Sequence, residues 1–183
     1  MKASLVSCCL VTRGYVDMTE ILDSLPFEDV VVWDNSDPSR RDLGIFGRYA
    51  AIAEAEHDVI VTQDDDLIVD DWEAVLRRYE PGALFCNYPE PWDIPWVARG
   101  AIFDHDLPKR AFSRYLTRYA FDRDFTHFMC DAVFGLLTER VQVEAVSPSR
   151  DLEHAFVGER ISLSPGWYDG YRPEAQRRCA TLA

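Results

Sequence analysis

Apolar and polar positions alternate along the first half of the chain in blocks that predict strands and helices in turn. Short apolar runs rich in β-branched residues indicate buried strands, and apolar residues three or four positions apart indicate helices. The predicted strands occupy residues 2–12, 30–33, 59–61 and 83–86. The predicted helices occupy residues 17–25, 45–56 and 70–79. This β-α-β-α-β-α-β order predicts an α/β fold with a mostly parallel, Rossmann-like sheet and helices on both faces.

The second half of the chain has a less regular pattern. Prolines and aromatic residues at 87–95 indicate a loop and a soft boundary. Beyond this loop, the pattern predicts a strand at 96–103, helices at 108–119 and 130–137, and a strand at 141–146. Regularity fades toward the end of the chain, where residues 164–170 (SPGWYDG) have the composition of an aromatic flap. We expect one compact domain over residues 1–183.

Composition narrows the class of protein. The chain has 183 residues, 48% of them hydrophobic, which suits one domain with one core. No apolar run reaches the roughly 20 residues that a membrane helix needs, so we expect no membrane span. Five cysteines without a C-x-x-C pair predict free thiols in a reducing cytoplasm. A formal net charge of −13 disfavours a bare polyanion such as DNA as a partner.

Polar side chains stand where three of the predicted parallel strands end. Thr12 ends the first strand and Asp34 follows the second, while Asp64, Asp65 and Asp66 come directly after the third. In open α/β sheets, ligands bind in the crevice outside the carboxyl ends of the strands. The three loops therefore predict one shared ligand site.

The acidic triplet, Asp64 to Asp66, indicates a cation at this site. Adjacent carboxylates repel one another, and a cation relieves that repulsion. Hard divalent ions such as Mg²⁺ and Mn²⁺ take oxygen ligands of this kind and share them with phosphates. The alternative is an acidic surface turn that caps the strand, since short acidic clusters are common on protein surfaces.

These features together resemble the nucleotide-sugar half of GT-A glycosyltransferases, which carry a D-x-D motif after a strand. The matching stretch is 47–66 (GRYAAIAEAEHDVIVTQDDD), and 129–137 (MCDAVFGLL) resembles an acidic helix start of exostosin-like hexosaminyltransferases. The resemblance implies a GT-A-type fold with a nucleotide-sugar-binding half at 1–88 and an acceptor half at 89–183 that ends in the flap. The second strand departs from the family pattern, because it ends in Trp33-Asp34-Asn35 rather than in two acids.

The resemblance also implies a metal site for Mn²⁺ or Mg²⁺. Asp66 would be the direct ligand, and Asp64 would contact the ribose or reach the metal through water. Asp65 would support either contact. His154, a histidine late in the chain, would complete the metal site.

Further roles follow for the nucleotide. Asp34 would accept a hydrogen bond from the base or the ribose, and Arg48 would reach a phosphate or the base with its guanidinium fork. Thr12 and Arg13 would provide loop contacts. Two alternatives remain open: an Asx turn at Asp34 with Asn35 and Ser36, and a solvated position on the helix surface for Arg48.

On the acceptor side, Asp131 would orient the acceptor hydroxyl or take its proton, although an Asp also suits the N-cap of the helix at 130–137. These roles predict a metal-dependent transfer from a nucleotide sugar, expected to be a UDP-sugar. The acceptor would be a glycan, a small molecule, a protein or a hydroxylated nucleic-acid base. Two other functions stay open: a nucleotidyltransferase, disfavoured by the single glycine at 12–15, and a non-catalytic nucleotide- or sugar-binding module.

Overall fold

The computed structural model describes residues 1–14, 16–88, 94–120, 123–152 and 170–182. The strands in these ranges are β1 (Ser7–Thr12), β2 (Asp29–Asp34), β3 (Val59–Thr62), β4 (Leu67–Val69), β5 (Leu84–Cys86), β6 (Ala101–Asp104), β7 (Val141–Val143) and β8 (Ser149–Asp151). Six of them form one sheet in the order β2-β1-β3-β6-β5-β7. Strand β1 is parallel to β2 and β3, and β5 is parallel to β7. Strand β6 runs antiparallel to both of its neighbours.

Helices on both faces cover this mostly parallel sheet. The α-helices are α1 (Thr19–Ser24), α2 (Gly47–Ala51), α3 (Trp72–Leu76), α4 (Leu107–Leu116), α5 (Arg123–Leu137) and α6 (Arg172–Ala180). Short 3-10 helices span Ala3–Leu5, Gly44–Phe46 and Ile52–Glu54. The last two flank α2, so the predicted helix at 45–56 consists of three short elements. Strands β4 and β8 pair as a separate antiparallel two-stranded sheet that the sequence pattern did not predict.

Alternating side chains of the strands divide the core into two layers. On one face, Cys9 and Phe103 pack with residues of α2, α4, α5 and α6. On the other face, Leu10 and Ile102 pack with residues of α1, α3 and β4. Because successive side chains of a strand point to opposite faces, strands buried on both sides need near-continuous apolar runs. The predicted single α/β domain with helices on both faces is confirmed, and strands from both predicted halves share its central sheet.

Helix α5 begins seven residues earlier than the predicted start at residue 130. Phe125, Met129, Ala132 and Val133 are all buried, and their spacing continues the apolar stripe of the helix toward its N-terminus. Asp131 therefore lies in the interior of the helix. The prediction that it could be the N-cap is wrong.

Two other elements also differ from the prediction. The predicted strand at 96–103 starts at Ala101, because Gly100 has a φ of +99°, outside the extended conformation of a strand. Helix α6 was not predicted, since Ala175 and Cys179 are its buried residues and form too narrow a stripe for a clear helical pattern. The predicted flap at 164–170 lies outside the described residues, except for Gly170.

The cysteines agree with the prediction of free thiols, since all five are buried and none of them forms a disulfide bond. In the part of the chain that the structure describes, no helix is both long and apolar enough to cross a membrane. The cytoplasmic location stays a prediction.

Candidate functional site

The carboxyl ends of β1, β2 and β3 meet at one edge of the sheet. Thr12 lies opposite Asp34 in the register of β1 and β2, and its carbonyl accepts a 2.9 Å hydrogen bond from the N–H of Asn35. Strand β3 ends at Thr62 on the other side of β1. The amino end of the antiparallel β6 reaches the same edge, because Ala101 pairs with Thr62. The polar loops therefore converge as predicted.

The turn after β2 uses the Asp34 carboxylate for its own hydrogen bonds. Oδ1 of Asp34 accepts from the backbone N–H of Ser36 at 2.8 Å and from its hydroxyl at 2.7 Å. Gly14, with a φ of +74°, packs on this turn, since a Cβ there would lie 2.1 Å from Oγ of Ser36. The Asx turn is thus confirmed. Arg13 in the neighbouring loop is exposed, and the nucleotide roles of Asp34 and Arg13 stay predictions.

The acidic triplet occupies the turn between β3 and β4, and backbone hydrogen bonds hold both ends of that turn. The N–H of Asp64 donates to the carbonyl of Ala98 at 2.8 Å. The carbonyl of Asp66 accepts from the N–H of Leu152 at 2.6 Å, just beyond β8. Asp64, Asp65 and Asp66 are all half-buried, so the triplet faces a partly solvent-shielded space.

Asp65 connects the triplet to the loop after β1, because its side chain forms a hydrogen bond with the Thr12 hydroxyl. Burial raises the pKa of Asp65, and the neighbouring charge of Asp64 adds to the rise. The Thr12 hydrogen bond and the charge of Arg48 act in the opposite direction, but the net pKa shift is upward. A cation beside the triplet would favour the charged form of this carboxyl group.

Arg48 is buried between two carboxylates from distant parts of the chain. Its side chain is 3% exposed, Nη2 pairs with Oδ1 of Asp64, and Nε lies 3.8 Å from Oδ1 of Asp131. Burial opposes the guanidinium charge, but Asp131 and Asp64 outweigh burial, and the net pKa shift of Arg48 is upward. The predicted alternative of a solvated helix arginine is therefore wrong. We call Arg48, Tyr49, Asp64 and Asp131 the Arg48 cluster.

Helix α2 brings Arg48 to this position because the helix starts with a glycine. A Cβ at Gly47 would lie 2.5 Å from Cδ1 of Trp33 and 2.7 Å from Cγ2 of Val11. The helix thus approaches β1 and β2 more closely than any larger residue would allow. This close approach places Arg48 and Tyr49 beside the polar edge of the sheet.

Asp131 reaches the cluster from α5 and is itself 4% exposed. Its Oδ1 accepts a 2.7 Å hydrogen bond from the Tyr49 hydroxyl and lies 3.7 Å from Sγ of Cys130. Burial raises the pKa of Asp131, whereas Arg48 and the two hydrogen bonds lower it; the charge of Asp64 adds to the rise. The net pKa shift is upward, which makes this carboxylate a stronger base than an exposed aspartate.

An arginine and an asparagine hold the loops on the other side of the triplet. Arg99 donates from Nη2 to both carboxylate oxygens of Asp151 and from Nη1 to Oγ of Ser149, each at 3.0 Å. Asn87 donates from Nδ2 to the carbonyls of Arg99 and Ser147, also at 3.0 Å. Its Oδ1 accepts from the N–H of Ser147 at 3.0 Å. These bonds fix β8 and the segment before it around the edge.

The triplet offers ligands that fit a divalent cation shared with a diphosphate. Such ions bind to one or two carboxylates, while substrate phosphates and water complete the coordination. Asp64 and Asp66 offer half-buried carboxylate oxygens that could serve as such ligands. Within the described ranges, no three His, Cys, Asp or Glu side chains are grouped so that they could hold a metal by themselves. His154 lies outside the described residues, and its metal role stays a prediction.

Comparisons with known proteins add no family assignment, since a scan against protein-family models and a search of curated proteins each found no match. The structure itself defines a mixed α/β single domain with a mostly parallel, Rossmann-like sheet and a polar carboxyl edge. Of the predicted site residues, the structure connects Arg48, Asp64 and Asp131 in one cluster and Thr12 with Asp65 beside it.

Several residues that shape this edge were not predicted as site residues. Tyr49 follows Arg48 directly, but its contact with Asp131 spans 82 positions and leaves no local signal. Gln63 is fully buried and donates from Nε2 to the carbonyl of Leu67 at 2.7 Å, which closes the turn that carries the triplet. The sequence signal for Gln63 is its position, because this single amide directly follows the apolar strand β3 and precedes the acidic triplet.

Proposed function

We propose that this protein is a metal-dependent glycosyltransferase that transfers a sugar from a UDP-sugar to an acceptor hydroxyl. The observation that supports the proposal most is the sharing of buried Arg48 between Asp64 and Asp131. Asp64 belongs to the predicted donor side and Asp131 to the predicted acceptor side. One guanidinium thus lies where the two halves of a transfer reaction would meet. A GT-A-type fold is part of the same proposal.

The donor diphosphate would bind against Arg48. Nε and Nη1 of Arg48 are buried and have no hydrogen-bond partner in the described structure. Buried donors without a partner cost free energy, and a phosphate oxygen suits a guanidinium fork. Thr12, Arg13 and Asp34 would contribute contacts to the nucleotide from the neighbouring loops.

Asp131 would act on the acceptor. Its carboxylate orients the acceptor hydroxyl and takes its proton while the acceptor oxygen forms a bond to C1 of the sugar. The bond from C1 to the β-phosphate oxygen breaks, and its electron pair leaves with the UDP. The raised pKa of Asp131, caused first by burial, suits a general base at neutral pH.

Asp66 and Asp64 would hold Mn²⁺ or Mg²⁺, with His154 as a further ligand. When bound, the ion neutralises charge that develops on the diphosphate as the sugar leaves. Arg48 and the triplet then have complementary tasks, because the carboxylates attract the cation and the guanidinium contacts phosphate oxygens directly.

A donor screen tests the proposal. The protein is incubated with Mn²⁺ and a panel of UDP-sugars, and mass spectrometry detects released UDP and transferred sugar. We expect turnover of at least one donor, and a loss of roughly 10²–10⁴-fold in Asp131→Asn, since general base catalysis contributes about that much. UDP binding without turnover of any donor would favour the non-catalytic module. Release of pyrophosphate from UTP with a sugar phosphate would favour the nucleotidyltransferase.

A further inference from the structure

A buried tyrosine–aspartate pair, Tyr49–Asp131, and a half-buried one, Tyr79–Asp104, lie toward opposite edges of the sheet. They differ at the second carboxylate oxygen. At the edge away from the triplet, Oδ1 of Asp104 accepts from the Tyr79 hydroxyl. Its Oδ2 accepts from the N–H of Gly82 at 2.6 Å. Both oxygens of Asp104 therefore have donors within the fold, which identifies this pair as structural.

The pair beside the triplet is only half satisfied. The Tyr49 hydroxyl, Nε of Arg48 and Sγ of Cys130 all lie on Oδ1 of Asp131. Among the described residues, none donates a hydrogen bond to Oδ2 of Asp131. Within the described part of the chain, the donors to this carboxylate thus lie on one oxygen, and the other oxygen receives none from the Arg48 cluster.

We propose that Tyr49 is a positioning residue, whose hydroxyl holds Asp131 through Oδ1 so that Oδ2 receives the proton of the attacking hydroxyl. The inference rests on the proposed function and names a residue that acts through Asp131 without touching the substrate. In the step itself, the oxygen of the attacking hydroxyl bonds to C1 of the sugar, and UDP leaves with the electron pair of the broken bond.

The surroundings of Tyr49 suit this task, because its ring is fixed by neighbouring aromatic rings. The ring centroid lies 5.0 Å from that of Phe112 and 5.6 Å from that of Phe134, both in edge-on geometry. A carboxylate is planar, so a fixed donor on one oxygen also sets the direction of the other. Supporting hydrogen bonds of this kind keep reactive groups in a productive geometry.

The same hydrogen bond also lowers the pKa of Asp131, because it stabilises the charged form. Removing the hydroxyl should therefore shift the ionisation of Asp131 to higher pH. Among the residues that the structure describes, the titratable and charged groups that face Asp131 are Arg48 and Tyr49 from α2, Cys130 from α5, Asp64 from the turn after β3 and Cys86 from β5.

The test compares Tyr49→Phe with Tyr79→Phe. Both changes remove one hydroxyl from a tyrosine–aspartate pair and keep the ring, but only the first pair belongs to the Arg48 cluster. The probe is the UDP-sugar that the wild-type protein hydrolyses fastest with Mn²⁺, with water as the acceptor. UDP release is measured as kcat and KM between pH 5 and pH 9, and carbon-13 NMR follows the titration of Asp131 in the same proteins.

For Tyr49→Phe we expect kcat to fall by about tenfold, the effect of losing one hydrogen bond to a charged group, with KM unchanged. The acid limb of the kcat profile and the Asp131 titration should both move to higher pH. Tyr79→Phe should match the wild type in all of these. Wild-type behaviour of Tyr49→Phe, equal losses in both variants, or loss of near-UV circular dichroism in Tyr49→Phe would each overturn the inference.

A wild-type protein that neither binds UDP with Mn²⁺ nor releases UDP from any donor would remove the proposed function. The NMR titration would then decide the positioning on its own. If the Asp131 titration shifts to higher pH in Tyr49→Phe and not in Tyr79→Phe, the result supports the proposal that the Tyr49 hydroxyl positions Asp131. Identical titrations in the three proteins contradict it.

Discussion

The Asp34 turn (residues 34–36) and the Arg48 cluster lie at the same edge of the sheet, yet they use their carboxylates in different ways. Oδ1 of Asp34 accepts two hydrogen bonds from Ser36, two positions along the chain. In the cluster, the partners of Arg48 and Tyr49 lie 16 and 82 positions away. The turn stabilises itself locally, whereas the cluster depends on the packing of α2 and α5 against the strands.

This difference separates a carboxylate held by neutral donors of its own turn from two carboxylates that share one buried guanidinium. A neutral hydroxyl and an N–H from the same residue satisfy Oδ1 of Asp34. A single guanidinium compensates two carboxylates in the cluster, so a negative charge remains when all three groups are ionised. Such an excess favours an added cation, provided that the site also excludes bulk water.

The largest effect should come from Arg48→Met, which removes the guanidinium that Asp64 and Asp131 share. The change keeps an unbranched side chain but leaves the buried Asp131 without a counter-charge, which typically costs about 3–5 kcal/mol. Urea unfolding measures the difference. Arg77→Met is the control, because Arg77 forms an exposed pair with Glu73 in which such a change costs about 0.5 kcal/mol or less. Equal effects of the two changes would contradict the buried ion pair.

A smaller effect should appear in how stability depends on pH. Because the folded-state pKa of Asp131 is raised, the folded protein binds more protons than the unfolded chain between the ordinary Asp value, about 4, and the raised value. The free energy of unfolding of the wild type should therefore fall as pH rises through this window.

Asp131→Asn lacks this contribution, so it should gain stability relative to the wild type across the same window, by about 1.4 kcal/mol for each unit of pKa shift. Below the ordinary Asp value, the difference between the two proteins should be constant with pH. Urea unfolding at closely spaced pH values measures both curves. If the wild type instead became more stable relative to Asp131→Asn as pH rises, the pKa of Asp131 in the folded protein would be lowered and not raised.

The smallest effect should be found in the Asp34 turn. Asp34→Asn keeps the acceptor oxygen, and Asn forms Asx turns as Asp does, so stability should change by less than about 0.5 kcal/mol. Asp34→Ala removes the acceptor and should cost about 1 kcal/mol. Thermal unfolding compares the two variants. If Asp34→Ala weakens UDP binding and leaves stability unchanged, the carboxylate serves the nucleotide rather than the turn.

The same contrast explains what could be predicted from the sequence. The strand ends, the position of the triplet after β3 and the Asx turn at Asp34 depend on residues that are close in the chain. The burial of Arg48 and its contact with Asp131 depend on how two helices pack on one sheet face. Local patterns carry no information about that packing, which is why Arg48 was compatible with a solvated position and Tyr49 was not singled out.

The direction of β6 and the helix α6 illustrate the same limit. A short apolar run predicts a strand whichever way it runs, so the antiparallel pairing of Ala101–Asp104 with β3 had no signal of its own. Helix α6 packs on α5 through two small side chains, Ala175 and Cys179, and most of its surface is polar. Its place is determined by tertiary contacts, including the Arg178 guanidinium 4.1 Å from the Phe125 ring centroid.

Calorimetry with UDP, in the presence and absence of Mn²⁺, tests the central claim that the carboxyl edge is a cation-dependent nucleotide site. The wild type should bind UDP with Mn²⁺ and much more weakly without it. Asp66→Ala should lose the Mn²⁺-dependent part and keep its melting temperature, because Asp66 lies in a half-buried turn and not in the core. UDP and Mn²⁺ binding by Asp66→Ala at the wild-type level would contradict the account.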